Sequence, residues 1–199
     1  MWSPYSIFRS YNCGVFSNGD ALILVDAANY RYENLILGQS GTATFSVLNG
    51  SVAEGSAASS SVNPGSTANI FVRDAGSQWI NTNSLSLGGA GITTVNLDTN
   101  GLILCPQIRL NHATLNLNAT GANPGVLSAY SISNAGNSLL NFNGGILQAM
   151  DDSQEFLSGF SLGQLSLNLG VLIDSQSFNI GISSPFSGGG FLEKLGQAL

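Results

Sequence analysis

The most regular feature of the chain is a four-residue segment with apolar first and third positions and mostly polar second and fourth positions. "LNLN" at 115–118, "LNFN" at 140–143 and "LSLN" at 165–168 recur at intervals of 25 residues. "FSVL" at 45–48, "IFVR" at 70–73 and "VNLD" at 95–98 keep the same 25-residue interval, and one step of 20 residues joins the two groups. "LILV" at 22–25 reads as a seventh member. Side chains alternate across a strand, so the first and third positions share a face. Phe45, Val47, Ile70, Val72, Val95, Leu97, Leu115, Leu117, Leu140, Phe142, Leu165 and Leu167 are therefore the expected inward column pair, and all are apolar.

The opposite face carries Ser46, Asn96, Asn116, Asn141 and Ser166 in one column and Arg73, Asp98, Asn118, Asn143 and Asn168 in the other, with Phe71 and Leu48 as exceptions. A second series, "LILG" at 35–38 and "LSLG" at 85–88, lies fifty residues or two units apart, so each unit holds at least two short strands. No useful window places apolar residues at i, i+3, i+4 and i+7, and Gly, Ser and Asn interrupt every helical candidate.

Equivalent strands at a fixed interval suit a coil of parallel strands, whereas a flat antiparallel sandwich has no need of them. The pattern predicts an all-β fold: a right-handed single-stranded parallel β-helix, or β-solenoid, of about 25-residue rungs and six to seven turns. Successive rungs would stack at roughly 4.8 Å. Residues 1–199 read as one β-helix segment, expected to be a fragment of a longer protein. Residues 1–20 form a cap or irregular segment, and 187–199 the Gly-rich end of the repeat. Gly144-Gly145 is expected to make a bend or bulge between two strands.

Composition narrows the function classes. Only 8% of residues are charged, against roughly 25% in an average soluble domain. Surface polarity must come from Ser, Thr, Asn and Gln, which suits uncharged sugars or proteins as partners. The net charge is -6, and Arg9, Arg31, Arg73, Arg109 and Lys194 are scattered, so the basic stripe that nucleic acid binding needs is missing and no nucleic acid partner is expected. No stretch approaches the ~18 apolar residues of a membrane span, so this segment is not expected to insert into a membrane. The N-terminus lacks the basic start and apolar run of a signal peptide.

Cys13, Cys105 and His112 match no metal-ligand spacing, and neither a metal nor another cofactor is expected. About four turns would separate the two cysteines by near 19 Å, beyond the ~7 Å limit for a bridge, so both are predicted free.

Paired carboxylates are the best enzymatic candidates, as in glycoside cleavage. They are Asp74 with Asp98, one rung apart, and the group Asp151, Asp152 and Glu155. A cross-rung ion pair between Arg73 and Asp98 is the simpler use of that carboxylate, and a solvated turn the simpler use of the acidic group. His112 reads as a turn residue, and "GGAG" at 88–91 and "SGGG" at 187–190 as corners. The sequons at Asn49 and Asn118 are formal matches only. No catalytic residue is expected. The outward Asn96, Asn116, Asn141, Asn118, Asn143 and Asn168 remain: stacked amides that hydrogen-bond along the axis, as structural stabilisation or as a flat face for carbohydrate or partner contact.

"GSQW" at 76–79 followed by "LSLGGAGITTVNL" at 85–97 resembles a repeat of bacterial type V secretion passengers. "LNFNGGILQAMDDSQEFLSGF" at 140–160 and "GVLIDSQSFNIGISSPFSGGGFLEKLG" at 170–196 resemble the autotransporter-associated β-strand repeat family. The resemblance implies a β-helix displayed outside a bacterial cell, with no catalytic residues to carry over. The expected function is a non-enzymatic structural or adhesive stalk, contacting glycans or host and neighbouring-cell surface proteins. Alternatives are a β-helical polysaccharide lyase or glycoside hydrolase, and a phage fibre or tailspike segment. Open solenoid ends favour end-to-end self-association, unless "MWSPYSIFRSYN" or "FLEKLGQAL" folds back as a cap.

Overall fold

The computed structural model of the chain describes the backbone of residues 7–8 and 11–13 and all of residues 20–196. Every regular element among them is a strand. Pairing is parallel throughout, apart from a short antiparallel contact of Ala119 and Thr120 with Pro124 and Asn123. The chain is a β-solenoid of about seven turns and ~24-residue rungs.

Each full rung supplies three walls, one more than the apolar pattern alone revealed. The first wall runs through Asp20–Asp26, Thr42–Leu48, Thr67–Val72, Ile92–Leu97 and Ala113–Thr120, then the leading halves of Leu139–Ala149 and Leu165–Asp174, to Phe186–Gly188. The second includes Asn29–Tyr32, Leu102–Leu104, Val126–Ala129, the trailing halves of those two long strands, and Phe191–Leu195. The third includes Asn34–Leu37, Gln107–Leu110, Ser131–Asn134, Ser153–Ser158 and Ile180–Ile182. Val52–Ser60 and Gln78–Leu87 each bend to serve the second and third walls.

One register column shows how the rungs stack. Ile23, Phe45, Ile70, Val95, Leu115, Leu140, Leu165 and Phe186 pair in succession along the first wall. All twelve expected inward residues are buried, from 0% exposure at Phe45 to 8% at Leu167. Burying each such side chain contributes about 1.5–3 kcal/mol. Trp79, on the second wall, meets Phe45 edge-on with ring centroids 5.2 Å apart, joining opposite sides of the core.

The earliest member of the series sits in a different frame. Ile23 pairs with Phe45 and Val25 with Val47, so Leu22 and Leu24 point outward at 70% and 54% exposure. Four consecutive apolar residues carry no alternation that would set the register. The third wall was half hidden for a related reason: between "LILG" and "LSLG" the equivalent positions hold Ala58, Ser59 and Ser60, too small and polar to stand out.

Unequal rungs are absorbed at corners. The shortened rung replaces a four-residue corner, 88–91, with Asn111 and His112 alone. His112 adopts a left-handed φ of 55°, and its Nδ1 lies 3.0 Å from the Gly89 carbonyl one rung below; the carbonyl can only accept, so Nδ1 carries the proton. His112 is thus a turn residue, as expected. Gly144 and Gly145 form the anticipated bulge: Asn118 faces both Asn143 and Gly144, Gly144 has a φ of 95°, and a Cβ on Gly145 would lie 2.5 Å from Leu117 Cγ.

Ile7–Phe8 and Tyr11–Cys13 pair parallel with the next rung, so these pieces of the 1–20 segment continue the stack. The rest of that segment lies outside the described residues, as do 197–199. Phe191–Leu195 pairs in parallel with the preceding rung and does not fold back as a cap. Cys13 belongs to the third wall through Leu37, while Cys105 is a free, buried thiol four rungs on, at the corner before Gln107.

A polar group lies inside the core. Tyr32 OH donates to Asn81 Oδ1 at 2.7 Å, and Trp79 Nε1 donates to Tyr32 OH at 2.6 Å. Tyr32 can reach two rungs because the intervening residue is glycine: a Cβ on Gly55 would sit 2.1 Å from the ring. Burial raises the Tyr32 phenol above its ordinary range and pushes the Cys105 thiol up to about 12.

Two outcomes follow from this packing. Gly145→Ala should cost about 1–3 kcal/mol in urea denaturation by overpacking Leu117, whereas Gly189→Ala, with no heavy atom within 4 Å of its Cβ, should stay within about 0.5 kcal/mol. Tyr32 and Cys105 are buried in neutral form with folded pKa values above their unfolded ones. Their contribution is complete below the ordinary thiol value of 9.0 and is lost as pH rises toward about 12. Melting temperature should therefore fall as pH rises from about 9 toward about 12, less steeply in Cys105→Ala.

Candidate contact surface

The outward positions of the first wall bring the six predicted asparagines into two ladders. Asn116 Nδ2 donates to Asn96 Oδ1 at 3.0 Å, and Asn141 Nδ2 to Asn116 Oδ1 at 2.8 Å. In the neighbouring column Asn143 Nδ2 donates to Asn118 Oδ1 at 2.8 Å, and Asn168 Nδ2 to Asn143 Oδ1 at 2.9 Å. Ser166 Oγ ends the second ladder by donating to Asn168 Oδ1 at 2.8 Å. The first ladder stops where Phe71 and Ser166 replace Asn in the column.

Parallel register is what makes the ladders possible. Identical side chains lie about one rung apart, close enough for amide to meet amide, and every Nδ2 points toward the N-terminal rung. Each internal amide uses one N–H and one lone pair along the axis and keeps the others available at the surface. Five of the six side chains are half-buried and Asn168 is exposed. The face can donate to and accept from uncharged hydroxyls and amides, and no member of it titrates.

Acidic candidates are placed at corners. Asp74 Oδ2 accepts from the Asn49 backbone N–H at 3.1 Å, and Asp26 Oδ1 accepts from Asn49 Nδ2 at 2.7 Å. Asp98 Oδ1 accepts from Thr99 Oγ1 at 2.7 Å. The expected Arg73–Asp98 ion pair does not form: the ladder ends at Val72 and Leu97, one residue earlier, so register no longer directs these side chains toward each other. Among the described residues Arg31 and Glu54 form an ion pair, with 3.3 Å between Nη2 and Oε2 and side chains 53% and 40% exposed. At such exposure it contributes little to stability.

Asp151, Asp152 and Glu155 lie at and beyond the corner between the second and third walls. Asp151 Oδ1 accepts from Asp152 N at 2.8 Å, Asp152 Oδ1 from Asn179 N at 2.7 Å, and Glu155 Oε2 from Ser183 Oγ at 2.9 Å. Asp152 and Glu155 line an open concavity with Tyr130, Ser131, Ser153 and Gln154. Tyr130 was missed in the sequence because it belongs to no repeat column; its one signal is that it alone links two strands. Among the described residues no group of three or more His, Cys, Asp or Glu is arranged to hold a metal ion.

Against known proteins, the chain matches no family model, no curated protein and no solved structure.

Each ladder bond between half-exposed amides should contribute at the low end of about 0.5–1.5 kcal/mol. Asn116→Ala breaks two and Asn96→Ala one, so the first should lower urea stability about twice as much. The double variant Asn116→Ala/Asn141→Ala should cost less than the sum of its parts, because the two residues share a bond.

Proposed function

We propose that this chain is a non-enzymatic segment of an exported bacterial surface protein, a stalk of the autotransporter-passenger type that presents a contact face. The observation that carries the reading is the pairing of one continuous apolar core with an outward, hydrogen-bonded amide face built in the same register. A solenoid of this kind is a spacer by geometry, since each rung adds about 4.8 Å of length and contacts only its neighbours. The uncharged amide face suits glycans or proteins at a host or neighbouring-cell surface. The passenger-like motifs at 76–97 and 140–196 support export and an extracellular location.

Display tests the reading directly. Placed between an export signal and a membrane-barrel anchor on a bacterium, the chain should reach the surface, resist protease and promote attachment to glycan- or matrix-coated supports. Retention inside the cell would oppose the reading. So would release of reducing ends or unsaturated products from pectin-like or capsular polysaccharides, which would mark an enzyme, or a stable trimer in solution, which would favour a fibre.

A further inference from the structure

The corner between the second and third walls changes length from rung to rung. It spans two residues after Leu104, one after Ala129, three after Ala149 and five after Asp174. The one-residue corner followed by longer ones leaves a notch along this edge, lined by Tyr130, Ser131, Asp152, Ser153, Gln154 and Glu155. Its cavity is about 370 Å³, within the range of roughly 300–1,000 Å³ of small-molecule sites.

Tyr130 is the one-residue corner at the base of this notch. Its backbone N–H donates to the Pro106 carbonyl at 3.0 Å and that of Ser131 to the same oxygen at 2.9 Å. The side chain is 40% exposed although it is a large aromatic. Above it, Asp152 and Glu155 each commit one oxygen to the following rung, at Asn179 N and Ser183 Oγ. Neither carboxylate forms an ion pair among the described residues. Gln154 adds an amide and Ser131 a hydroxyl.

We propose that this notch binds a single pyranose unit of a glycan. An aromatic face fits the C–H side of a sugar ring, where the ring's negative quadrupole meets polarised hydrogens. Carboxylate, amide and hydroxyl groups supply acceptors and donors for the sugar hydroxyls on the other edge. Each carboxylate is already oriented by its bond to the next rung, so little ordering remains to be done on binding. The proposal rests on the contact role assigned above and moves its most specific element from the flat amide wall to this corner.

Saturation-transfer NMR on the full chain tests it, with methyl α-glucopyranoside, methyl β-galactopyranoside and methyl N-acetyl-β-glucosaminide as probes and tetramethylammonium as a cationic control. At least one pyranoside should receive saturation at its ring C–H protons and shift the Tyr130 ring resonances. Tyr130→Ala should weaken binding about tenfold or more and Glu155→Gln or Gln154→Ala by about three- to tenfold, with circular dichroism unchanged. Gly189→Ala, outside both the notch and the amide ladders, should leave it unaltered. No transfer to any of the three sugars, transfer that survives Tyr130→Ala, or binding of tetramethylammonium alone would overturn the proposal. Loss of sugar binding with surface attachment intact removes the notch but not the contact role; failed display or attachment with sugar binding intact does the reverse.

Discussion

Everything in this chain depends on the parallel ladder, whose spacing of about 4.8 Å fixes the distance between equivalent residues on successive rungs. A side chain in such a stack meets a counterpart above and below it, so its chemistry must tolerate its own repetition. Aliphatic residues satisfy that condition inside, and asparagine does so outside because one amide can donate and accept at once. Charged residues do not, since like charges one rung apart repel. The low charged fraction of 8% is thus coupled to the architecture.

The ladder also explains which features were legible in the residue pattern. Six tetrads at steps of 25 residues, broken by one of 20, revealed the period, the inward columns and both asparagine ladders, because alternation and register are the same information in a parallel stack. The frame of Asp20–Asp26 was unreadable, as its step to the next rung is 22 residues and Leu22 to Val25 do not alternate. The Arg73–Asp98 pairing failed for a geometric reason, since both residues stand just past the last paired position. Tyr130 escaped because its setting arises from unequal corners in rungs distant along the chain, and periodicity says nothing about corners.

Buried polar groups show how the stack tolerates exceptions. At one corner Ser60 and Thr93 hydroxyls lie 2.8 Å apart, Thr93 donates to Ser61 Oγ at 2.9 Å, and Gly88 N donates to Ser60 Oγ at 3.0 Å. These groups replace water with one another. The core group is less complete: Asn81 accepts from Tyr32 but its Nδ2 has no partner among the described residues. An unsatisfied buried donor costs about 1–3 kcal/mol. In exchange, the Tyr32–Asn81 bond ties together rungs that are not neighbours, which an apolar column of interchangeable residues cannot do. A chain whose rungs resemble each other gains a reference point that opposes pairing one turn out of register, the use of buried polar groups best attested in coiled coils.

Repetition therefore separates stability from recognition in this fold. The walls must repeat, so a ligand sees the same surface at each rung and gains little specificity from it. The corners need only close the coil, and their lengths vary from one to five residues between the second and third walls without disturbing the columns. A residue at a corner can differ from its neighbours in size and charge at small cost, because no ladder partner lies directly above or below it. Tyr130, Asp152 and Glu155 occupy that part of the rung or sit beside it, while the asparagines occupy the part that must repeat. Side chains that differ from rung to rung therefore belong where the register relaxes, and the amide ladders belong to the walls that repeat.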